Sequence, residues 1–455
     1  MDEFFDPVGV AVVGASSRPG KIGYEILKNI IEVREDVYPV NPAAESILGK
    51  KCYNSVSEIE DRVDLAVVAI PSEKILNVVK NCGKKGVKGM VVISGGFRET
   101  GNEQLEKDMV NLARKYGIRI IGPNCIGIYN AKNGFNTFFQ KDMELPGRGN
   151  VAVLTQSGTI GIGLLENFAD RIGISKFVSY GNKADVDEID MFSYLQKDED
   201  TDVIAVYMES IENGRKFFEN LPDKPVVILK SGRTPLGKSA AASHTGAMAT
   251  DHSIFTGASR QYGAINADSF EEFYDITRIM ATQPLPGGGR VGMITNGAGP
   301  CVIASDHIYH SKNLSLPELK PGADEHGKDK FSELPSFAII SNPLDLTGSA
   351  TASHFLKGIE AMGRDNNIDI IMPFFVFQDA PLVESIDELH EGLESMMKWM
   401  DKTVVAVAMG GKLVKEQASR MAEYGVPLIE EPARAVNSLD KIVGYARWKN
   451  ESGGS

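Results

Sequence analysis

Short runs of aliphatic and β-branched residues alternate with stretches of helical apolar spacing, and this alternation is the feature that most constrains the fold. Strands joined through helices need right-handed crossovers, which build a parallel sheet with helices on both faces. The sequence therefore predicts an α/β protein that begins with a doubly wound, Rossmann-like domain over residues 1–130. Within that domain the pattern predicts strands at 8–13, 37–40, 65–70, 90–93 and 118–121.

Two segments rich in proline and glycine divide the remainder of the chain. Residues 130–149 are expected to form a connector, and residues 282–289, Thr-Gln-Pro-Leu-Pro-Gly-Gly-Gly, are typical of a linker. The strand–helix pattern continues after each of them, which predicts a second domain at 150–281 and a third at 290–447. The length of 455 residues fits three domains of about 150 residues each.

Charge and cysteine content argue against several classes of protein. There are 61 acidic and 48 basic residues, and the net charge of −13 disfavours nucleic acids and anionic membranes as partners. No apolar run approaches the roughly 18 residues of a transmembrane helix, and the acidic first residues do not resemble a secretory signal. The four cysteines form no CxxC pair, and His307 and His310 lack an evident third ligand. We therefore expect a cytoplasmic protein that binds no metal ion itself.

The first glycine-rich turn points to a ligand that carries phosphate. Gly14, Gly20 and Gly23 do not have the G-x-G-x-x-G spacing of a dinucleotide site, and no acidic residue follows the second predicted strand. NAD is therefore not expected. Donors and positive charge nevertheless surround the predicted start of the helix, where a phosphate would bind. These residues are Ser16, Ser17, Arg18 and Lys21.

Small or polar residues also follow the other predicted strands of this domain. In open α/β sheets the ligand crevice lies beyond the carboxyl ends of the strands, so these clusters predict a shallow groove lined by backbone. For any one cluster, ordinary turn chemistry explains the residues equally well. Cys125 is not expected to be a nucleophile, because most such cysteines are buried and inert. The clusters are Pro71-Ser72, Ser94-Gly95-Gly96 and Asn124-Cys125.

One strand–turn–helix unit occurs twice in the sequence. Residues 151–159 read Val-Ala-Val-Leu-Thr-Gln-Ser-Gly-Thr, and residues 291–299 read Val-Gly-Met-Ile-Thr-Asn-Gly-Ala-Gly. Each unit ends a strand in a polar turn and opens a helix, whose free N–H groups can bind an anion. The residues alone leave two readings open, a pair of phosphate sites or two ordinary turns.

A loop of small and basic residues at 230–249 contains His244. A loop of small residues moves easily, and a neutral imidazole nitrogen can accept a phosphoryl group near pH 7. An exposed loop histidine without chemistry explains the same residues, and by themselves they favour that simpler interpretation.

Several motifs, in order, resemble the α subunits of ADP-forming acetyl-CoA synthetases. These belong to the NDP-forming acyl-CoA synthetase family and are relatives of succinyl-CoA synthetase. The similar motifs cover essentially the whole chain. They are the opening at 14–23, Gly-Pro-Asn-Cys at 122–125, Gln-Ser-Gly-Thr at 156–159, Ser-His-Thr-Gly-Ala at 243–247, Thr-Asn-Gly-Ala-Gly-Pro at 295–300 and Ser-Asn-Pro-Leu-Asp-Leu at 341–346.

The resemblance implies a CoA-binding domain, two flavodoxin-like ligase domains and a phosphohistidine. His244 matches the phosphorylated histidine, and Glu209 matches the acid that hydrogen-bonds its imidazole. The two repeated turns match the phosphate-binding helix N-termini, which the resemblance places opposite each other. The phosphate residues are then Ser157, Gly158, Thr159, Asn296, Gly297, Ala298 and Gly299. The CoA residues are Gly14, Ser16, Ser17, Arg18, Pro19, Lys21, Pro71, Ser72, Ser94, Gly95, Gly96, Asn124 and Cys125.

The resemblance further implies conversion of acyl-CoA, ADP and phosphate to acid, CoA and ATP. The chain has no P-loop and no ATP-grasp domain, so we expect an ATP-grasp β subunit that supplies ADP or ATP and Mg²⁺, in an α₂β₂ heterotetramer. One departure is Ala43, where the family often has a lysine near CoA; Lys50 or Lys51 could compensate. The alternatives are a non-catalytic CoA-binding regulator and a ligase for succinate or another larger acid.

Overall fold

A computed structural model describes residues 1–239, 251–319 and 331–452. The chain divides into two compact units. The first comprises Met1–Ala169 and Gly173–Ala264, and the second comprises Asp170–Ile172 and the chain from Ile265 onward. None of the helices in the described ranges combines the length and hydrophobicity needed to cross a lipid bilayer.

The first 121 residues form a parallel sheet, a small hairpin and flanking helices. The strands are β1 (Val10–Val13), β2 (Val37–Val40), β3 (Ser46–Ile47), β4 (Lys50–Lys51), β5 (Leu65–Val68), β6 (Gly89–Val92) and β7 (Arg119–Ile121). The helices are α1 (Asp2–Phe5), α2 (Ile22–Ile31), α3 (Ile75–Lys85) and α4 (Glu103–Lys115). The sheet has the order β2-β1-β5-β6-β7, whereas β3 and β4 pair with each other.

Burial explains why these strands are short and strongly apolar. Every residue of β1, β5 and β6 is buried, as expected for a parallel sheet covered on both faces. Helix α3 ends at Lys85, where the next residue, Gly86, adopts a left-handed conformation with φ of 84°. Glycine is the residue that most readily closes a helix in this way.

A second sheet lies in the same compact unit. Its strands are β8 (Ile128–Asn130), β9 (Phe135–Asn136), β10 (Arg148–Thr155), β11 (Ile174–Ser179), β12 (Val203–Met208) and β13 (Val226–Lys230). Within this unit the order is β13-β12-β10-β11-β8-β9, and β8 runs antiparallel to β11. The helices that accompany it are α5 (Gly158–Phe168), α6 (Glu188–Leu195), α7 (Gly214–Glu219) and α8 (His252–Gln261).

The hairpin of β8 and β9 occupies a region where the sequence suggested a connector. Phe135 is buried, and the Asn130 amide donates a hydrogen bond of 2.9 Å to the Phe5 carbonyl. One hydrophobic core runs through both sheets of the first unit and includes Phe5, Phe135 and Tyr180. Contacts with helices α1 and α2 thus fix the hairpin, and these contacts are distant in sequence.

The second unit is again α/β. Its strands are β14 (Ile265–Ala267), β15 (Val291–Thr295), β16 (Leu344–Asp345), β17 (Ile370–Phe374), β18 (Thr403–Val404), β19 (Ala406–Val407) and β20 (Leu428–Ile429). Its helices are α9 (Phe270–Thr282), α10 (Gly299–His310), α11 (Ala352–Gly363), α12 (Ala380–Val383), α13 (Ile386–Met397), α14 (Lys412–Glu423) and α15 (Pro432–Ser452). A parallel sheet of order β16-β15-β17-β19-β20, with β18 also paired to β17, forms its centre. The predicted α/β fold class is confirmed.

Candidate functional site

The turn between β1 and α2 approaches the end of β5 closely, and two glycines permit this. Gly14 has a φ of +89°, and a Cβ there would lie 2.2 Å from the Ala69 carbonyl oxygen. A Cβ on Gly23, in the first turn of α2, would lie 2.0 Å from the Gly14 carbonyl oxygen. Glycine avoids both collisions and accepts the left-handed conformation, so these residues hold the turn tightly against the sheet.

The polar residues of this turn surround the N-terminus of α2. Lys21 is the N-cap and makes no side-chain capping bond, which leaves the first N–H groups of the helix for an anion. Ser16 is half-buried, and its Oγ accepts a hydrogen bond of 3.1 Å from the Arg18 N–H. The exposed residues here are Ser17, Arg18, Pro19 and Lys21.

The turn after β5 and the turn after β6 lie together beyond the carboxyl ends of their strands. The strand order reverses between β1 and β5, and such a reversal marks the ligand crevice in doubly wound sheets. Pro71 is exposed and Ser72 is buried. A Cβ on Gly96 would lie 2.6 Å from the Ser72 Oγ, so the two predicted clusters adjoin each other.

The turn after β7 completes this edge of the sheet. Asn124 is exposed with φ of 59°, and its N–H donates a hydrogen bond of 3.0 Å to the Ser94 carbonyl. A Cβ on Gly95 would lie 3.4 Å from the Asn124 Oδ1. The Cys125 thiol instead donates to the Val92 carbonyl at 3.4 Å, and burial raises its pKa to about 12. A ligand at this edge would therefore meet the backbone of Cys125 rather than its sulfur.

The turn after β11, in the second sheet, is fastened to this edge. The Asn182 amide donates hydrogen bonds of 2.5 Å to the Glu99 Oε2 and 2.8 Å to the Glu106 Oε2. The Asn124 amide donates to the Asn182 Oδ1 at 3.3 Å, and the Asn182 N–H donates to the Pro123 carbonyl at 2.8 Å. The candidate CoA residues are thus tied to the second sheet inside one compact unit.

The segment after β2 carries the departure from the family pattern. The Asn41 Oδ1 accepts a hydrogen bond of 2.9 Å from the N–H of Ala43, which is exposed. The Lys50 ammonium lies 2.7 Å from the Glu35 carboxylate. The Lys51 ammonium lies 5.1 Å from the centre of the Tyr53 ring. Both lysines suggested as substitutes therefore already make contacts within the chain.

The polar turn between β10 and α5 has the geometry of a capped helix N-terminus. The Ser157 Oγ accepts a hydrogen bond of 3.4 Å from the Ile160 N–H. The Thr155 hydroxyl donates to the Ser157 carbonyl at 2.8 Å and lies 3.1 Å from the Ser157 N–H. Gly158 begins α5 and Thr159 is exposed. The first N–H groups and the positive end of the helix dipole occur together here, as an anion site requires.

Glu209 follows β12 and lies next to this turn. Its backbone N–H donates a hydrogen bond of 2.6 Å to the Oε1 of Gln156, a buried residue of the same turn as Ser157. Its side chain is half-buried, and the Tyr207 hydroxyl donates to its Oε1 at 3.4 Å. Gln156 thus connects the backbone of Glu209 directly to the candidate phosphate turn.

The repeated turn in the second unit has the same internal bonds. The Thr295 hydroxyl donates to the Gly297 carbonyl at 2.8 Å and accepts from the Gly297 N–H at 2.9 Å. The buried Asn296 donates from its amide to the Val376 carbonyl at 3.0 Å and accepts from the Val376 N–H at 2.9 Å. Ala298 is exposed, and Gly299 begins α10.

His244 lies outside the described residues, together with the rest of 240–250. The chain enters this loop from β13, and β13 pairs in parallel with β12, the strand that precedes Glu209. Met208 is the register partner of Lys230. The described beginning of the loop is therefore next to the strand that carries Glu209.

Across the three described ranges, His, Cys, Asp and Glu side chains form no group of three or more that could hold a metal ion. His307 is half-buried and His310 is exposed, both in the last turns of α10.

Comparison with known proteins agrees with this geometry. Residues 9–131 match the CoA binding domain family, and residues 148–280 match the succinyl-CoA ligase like flavodoxin domain family. The chain is 38% identical to the acetate–CoA ligase [ADP-forming] II subunit alpha of Pyrococcus furiosus, and the match covers 100% of this chain and 99% of that subunit. The chain belongs to the NDP-forming acyl-CoA synthetase family. Within this family it is the α subunit of an ADP-forming acid–CoA ligase, and its first domain belongs to the CoA binding domain family.

Two further members of the family bear on substrate and size. The dinucleotide forming acetyl-coenzyme A synthetase 1 of Ca. Korarchaeum cryptofilum, solved with phosphate and ADP, is 36% identical with a TM-score of 0.90, over 99% of this chain and 97% of that one. The 4-hydroxybutyrate–CoA ligase [ADP-forming] of Nitrosopumilus maritimus is 32% identical over 98% of this chain. The chain spans 64% of the length of that ligase, so some NDP-forming acyl-CoA synthetases carry a further segment.

Proposed function

We propose that this subunit converts an acyl-CoA, ADP and phosphate to the free acid, CoA and ATP through an acyl phosphate and a phosphohistidine at His244. The observation that carries the proposal is the link between Glu209 and the Ser157 turn through Gln156. A carboxylate that can orient an imidazole and a helix N-terminus that can bind phosphate are thereby held within one short network. Phosphoryl transfer depends mainly on such positioning and charge stabilisation.

Each step moves a defined group. An oxygen of phosphate attacks the thioester carbonyl, the carbon–sulfur bond breaks, and the CoA thiolate takes up a proton. The acyl phosphate then transfers its phosphoryl group to an imidazole nitrogen of His244, and the carboxylate leaves. Glu209 accepts the hydrogen bond of the other ring nitrogen, which fixes the tautomer and stabilises the charged ring. Finally a terminal oxygen of ADP takes the phosphoryl group from His244 and forms ATP.

The first domain would hold CoA along the edge described above. The exposed N-terminus of α2, with Arg18 and Lys21, suits the phosphates of CoA. The turns after β5, β6 and β7 supply a backbone-lined path for the rest of the molecule. This path carries the predicted residues Pro71, Ser72, Ser94, Gly95, Gly96, Asn124 and Cys125.

The two repeated turns would each bind a phosphate or phosphoryl group during the reaction. Ser157, Gly158 and Thr159 form the first site, and Asn296, Gly297, Ala298 and Gly299 form the second. Both turns begin a helix, so both offer free N–H groups to a phosphate or phosphoryl group.

We infer that an ATP-grasp β subunit binds ADP with Mg²⁺ and assembles with this chain as an α₂β₂ heterotetramer. Support comes from the name "subunit alpha" of the Pyrococcus relative. Acetate is the acid we propose, because the relatives include acetate–CoA ligases over the full length of this chain. The relative named for 4-hydroxybutyrate makes larger acids the competing outcome of a substrate panel.

The test is phosphorylation of this subunit together with its partner, in acetyl-CoA and phosphate. We expect intact mass spectrometry to show one added phosphate that is lost in acid and is absent from His244→Asn. His310→Asn, which makes the same substitution at an exposed histidine, serves as the matched control and should be phosphorylated like the native chain. CoA binding without phosphorylation under any acyl-CoA would contradict the ligase proposal and leave a CoA-binding regulator.

A further inference from the structure

All four backbone polar groups of Glu209 and Ser210 are held by buried side chains. The Gln156 Oε1 accepts from the Glu209 N–H at 2.6 Å and from the Ser210 N–H at 3.0 Å. The Lys230 ammonium donates to the Glu209 carbonyl at 2.9 Å. The Lys183 ammonium donates to the Ser210 carbonyl at 3.2 Å. The segment after β12 is therefore fixed through its backbone, and the Glu209 carboxylate stays free of these bonds.

The two lysines are unusual because both are buried. Lys230 is 4% exposed and also donates to the Ser231 carbonyl at 2.9 Å. Lys183 is 7% exposed and lies 2.9 Å from the carboxylate of Glu188, which is 2% exposed. Buried ammonium groups are costly unless they are paired or hydrogen-bonded, so the presence of two at one dipeptide points to a role for that dipeptide.

We propose that Gln156, Lys183 and Lys230 are positioning residues that fix the Glu209 carboxylate where it can accept the imidazole N–H of His244. This inference rests on the proposed function. Lys230 is the decisive member, because it contacts both the carbonyl of Glu209 and the carbonyl of Ser231, where the histidine loop begins. Lys230 therefore fixes the position of Glu209 relative to Ser231, where the loop begins.

The charge on Lys230 should make this positioning depend on pH. Burial lowers the pKa of the Lys230 ammonium to about 8, and the nearby charges of Lys183, Lys238 and Arg233 act in the same direction, whereas Glu209 opposes them. The ring of Phe255, centred 6.0 Å from the ammonium, is the apolar neighbour that helps to bury it. Loss of the proton weakens a charge-assisted hydrogen bond to a carbonyl.

The experiment measures the rate of phosphohistidine formation between pH 6 and 10, in the complex with the partner subunit and with acetyl-CoA and phosphate, using an alkaline quench. The native rate should fall above pH about 8. Lys230→Arg, whose guanidinium stays charged, should lose that alkaline decline. Lys230→Met should be slower by about 10- to 100-fold at pH 7, the usual cost of a lost orienting partner.

Two further variants separate positioning from general destabilisation. Lys197→Met removes an exposed lysine and should keep the native rate and profile. Gln156→Glu keeps an oxygen that accepts both N–H groups and should retain more activity than Gln156→Met. Where Lys230→Met fails to fold, the pH profile of Lys230→Arg decides the question.

The outcomes distinguish the two proposals. A native complex that forms no phosphohistidine overturns the proposed function and this inference with it. A native complex that is phosphorylated, with the same alkaline decline in Lys230→Arg and an undiminished rate in Lys230→Met, overturns the positioning role alone.

Discussion

Gln156 and Asn296 make the same hydrogen bond in two different sheets. Each follows a threonine that ends a strand, and each accepts the backbone N–H of a residue just beyond the neighbouring strand, Glu209 at 2.6 Å and Val376 at 2.9 Å. The registers agree, since Thr155 pairs with Tyr207 and Thr295 pairs with Phe374, two residues earlier in each case. Val376 therefore occupies in the second unit the position that Glu209 occupies in the first. The repeated turn of the second unit thus has a valine where that of the first unit has a carboxylate.

Asn296→Ala should loosen the end of β17. The variant removes the acceptor of the Val376 N–H and the donor to its carbonyl, and a buried polar group left without a partner costs about 1–3 kcal/mol. Hydrogen–deuterium exchange of the peptide containing Val376 should become faster. Asn366→Ala, at an exposed position of the same unit, is the control and should exchange like the native chain. Equal exchange in both variants would contradict the bracing role.

Gly14→Ala and Gly20→Ala form a matched pair, because both glycines have positive φ, +89° and +81°. A Cβ on Gly14 meets the Ala69 carbonyl oxygen at 2.2 Å, whereas a Cβ on Gly20 meets nothing within 4 Å. We expect Gly20→Ala to cost about 1 kcal/mol, and Gly14→Ala to cost about 3 kcal/mol or more and to abolish CoA binding. Urea unfolding and calorimetric titration with CoA measure both. Similar losses of stability and CoA affinity in the two variants would show that the close contact with Ala69 does not determine the effect.

Ala43→Lys should tighten CoA binding, because it restores the positive charge that the family often places there. Ala43 is exposed, and an exposed ion pair gains about 1 kcal/mol or less, which corresponds to roughly a five-fold lower Kd. Titration at 50 mM and 500 mM salt should show the gain shrinking at high salt. Ala43→Met supplies a long side chain without charge, and an equal effect of both substitutions would refute the electrostatic explanation.

The stability of the native chain should rise with pH above 8 because of Lys230. Its pKa is about 8 in the folded chain and 10.5 ordinarily, so between these values the unfolded chain holds the extra proton and deprotonation favours folding. Below pH 8 the cost of the buried charge is fully present. We expect the free energy of unfolding of Lys230→Met to depend less steeply on pH from 8 to 10.5. Lys197→Met should keep the native slope, and identical slopes in all three proteins would contradict the lowered pKa.

The sequence alone predicted the strands of the first sheet. It did not predict the hairpin of β8 and β9 or the buried lysines. The five strands of the first sheet lie within two residues of their predicted limits, because short aliphatic runs have few alternatives in a sheet covered on both faces. The hairpin of β8 and β9 was missed, since contacts with Phe5, more than 120 residues away, determine it.

Lys183 and Lys230 were missed for a different reason. Lysines in a turn or at the end of a strand are ordinarily exposed. Only the folded chain reveals the Glu188 carboxylate and the Ser210 and Glu209 carbonyls that bind these ammonium groups. The roles of Glu209 and the two repeated turns stay predictions, and His244 lies outside the described residues.

The turn that contains Asn182 and Lys183 has a mechanical consequence. Asn182 accepts a hydrogen bond from Asn124, at the edge where CoA is proposed to lie. Lys183, the next residue, donates to the Ser210 carbonyl beside Glu209. A hinge between the two sheets of the first unit would have to break the Asn182 bonds to Glu99 and Glu106, whereas the bonds of Lys183 stay within the second sheet. Because Asn182 and Lys183 are adjacent, they hold the edge proposed for CoA at a fixed distance from the segment that carries Glu209.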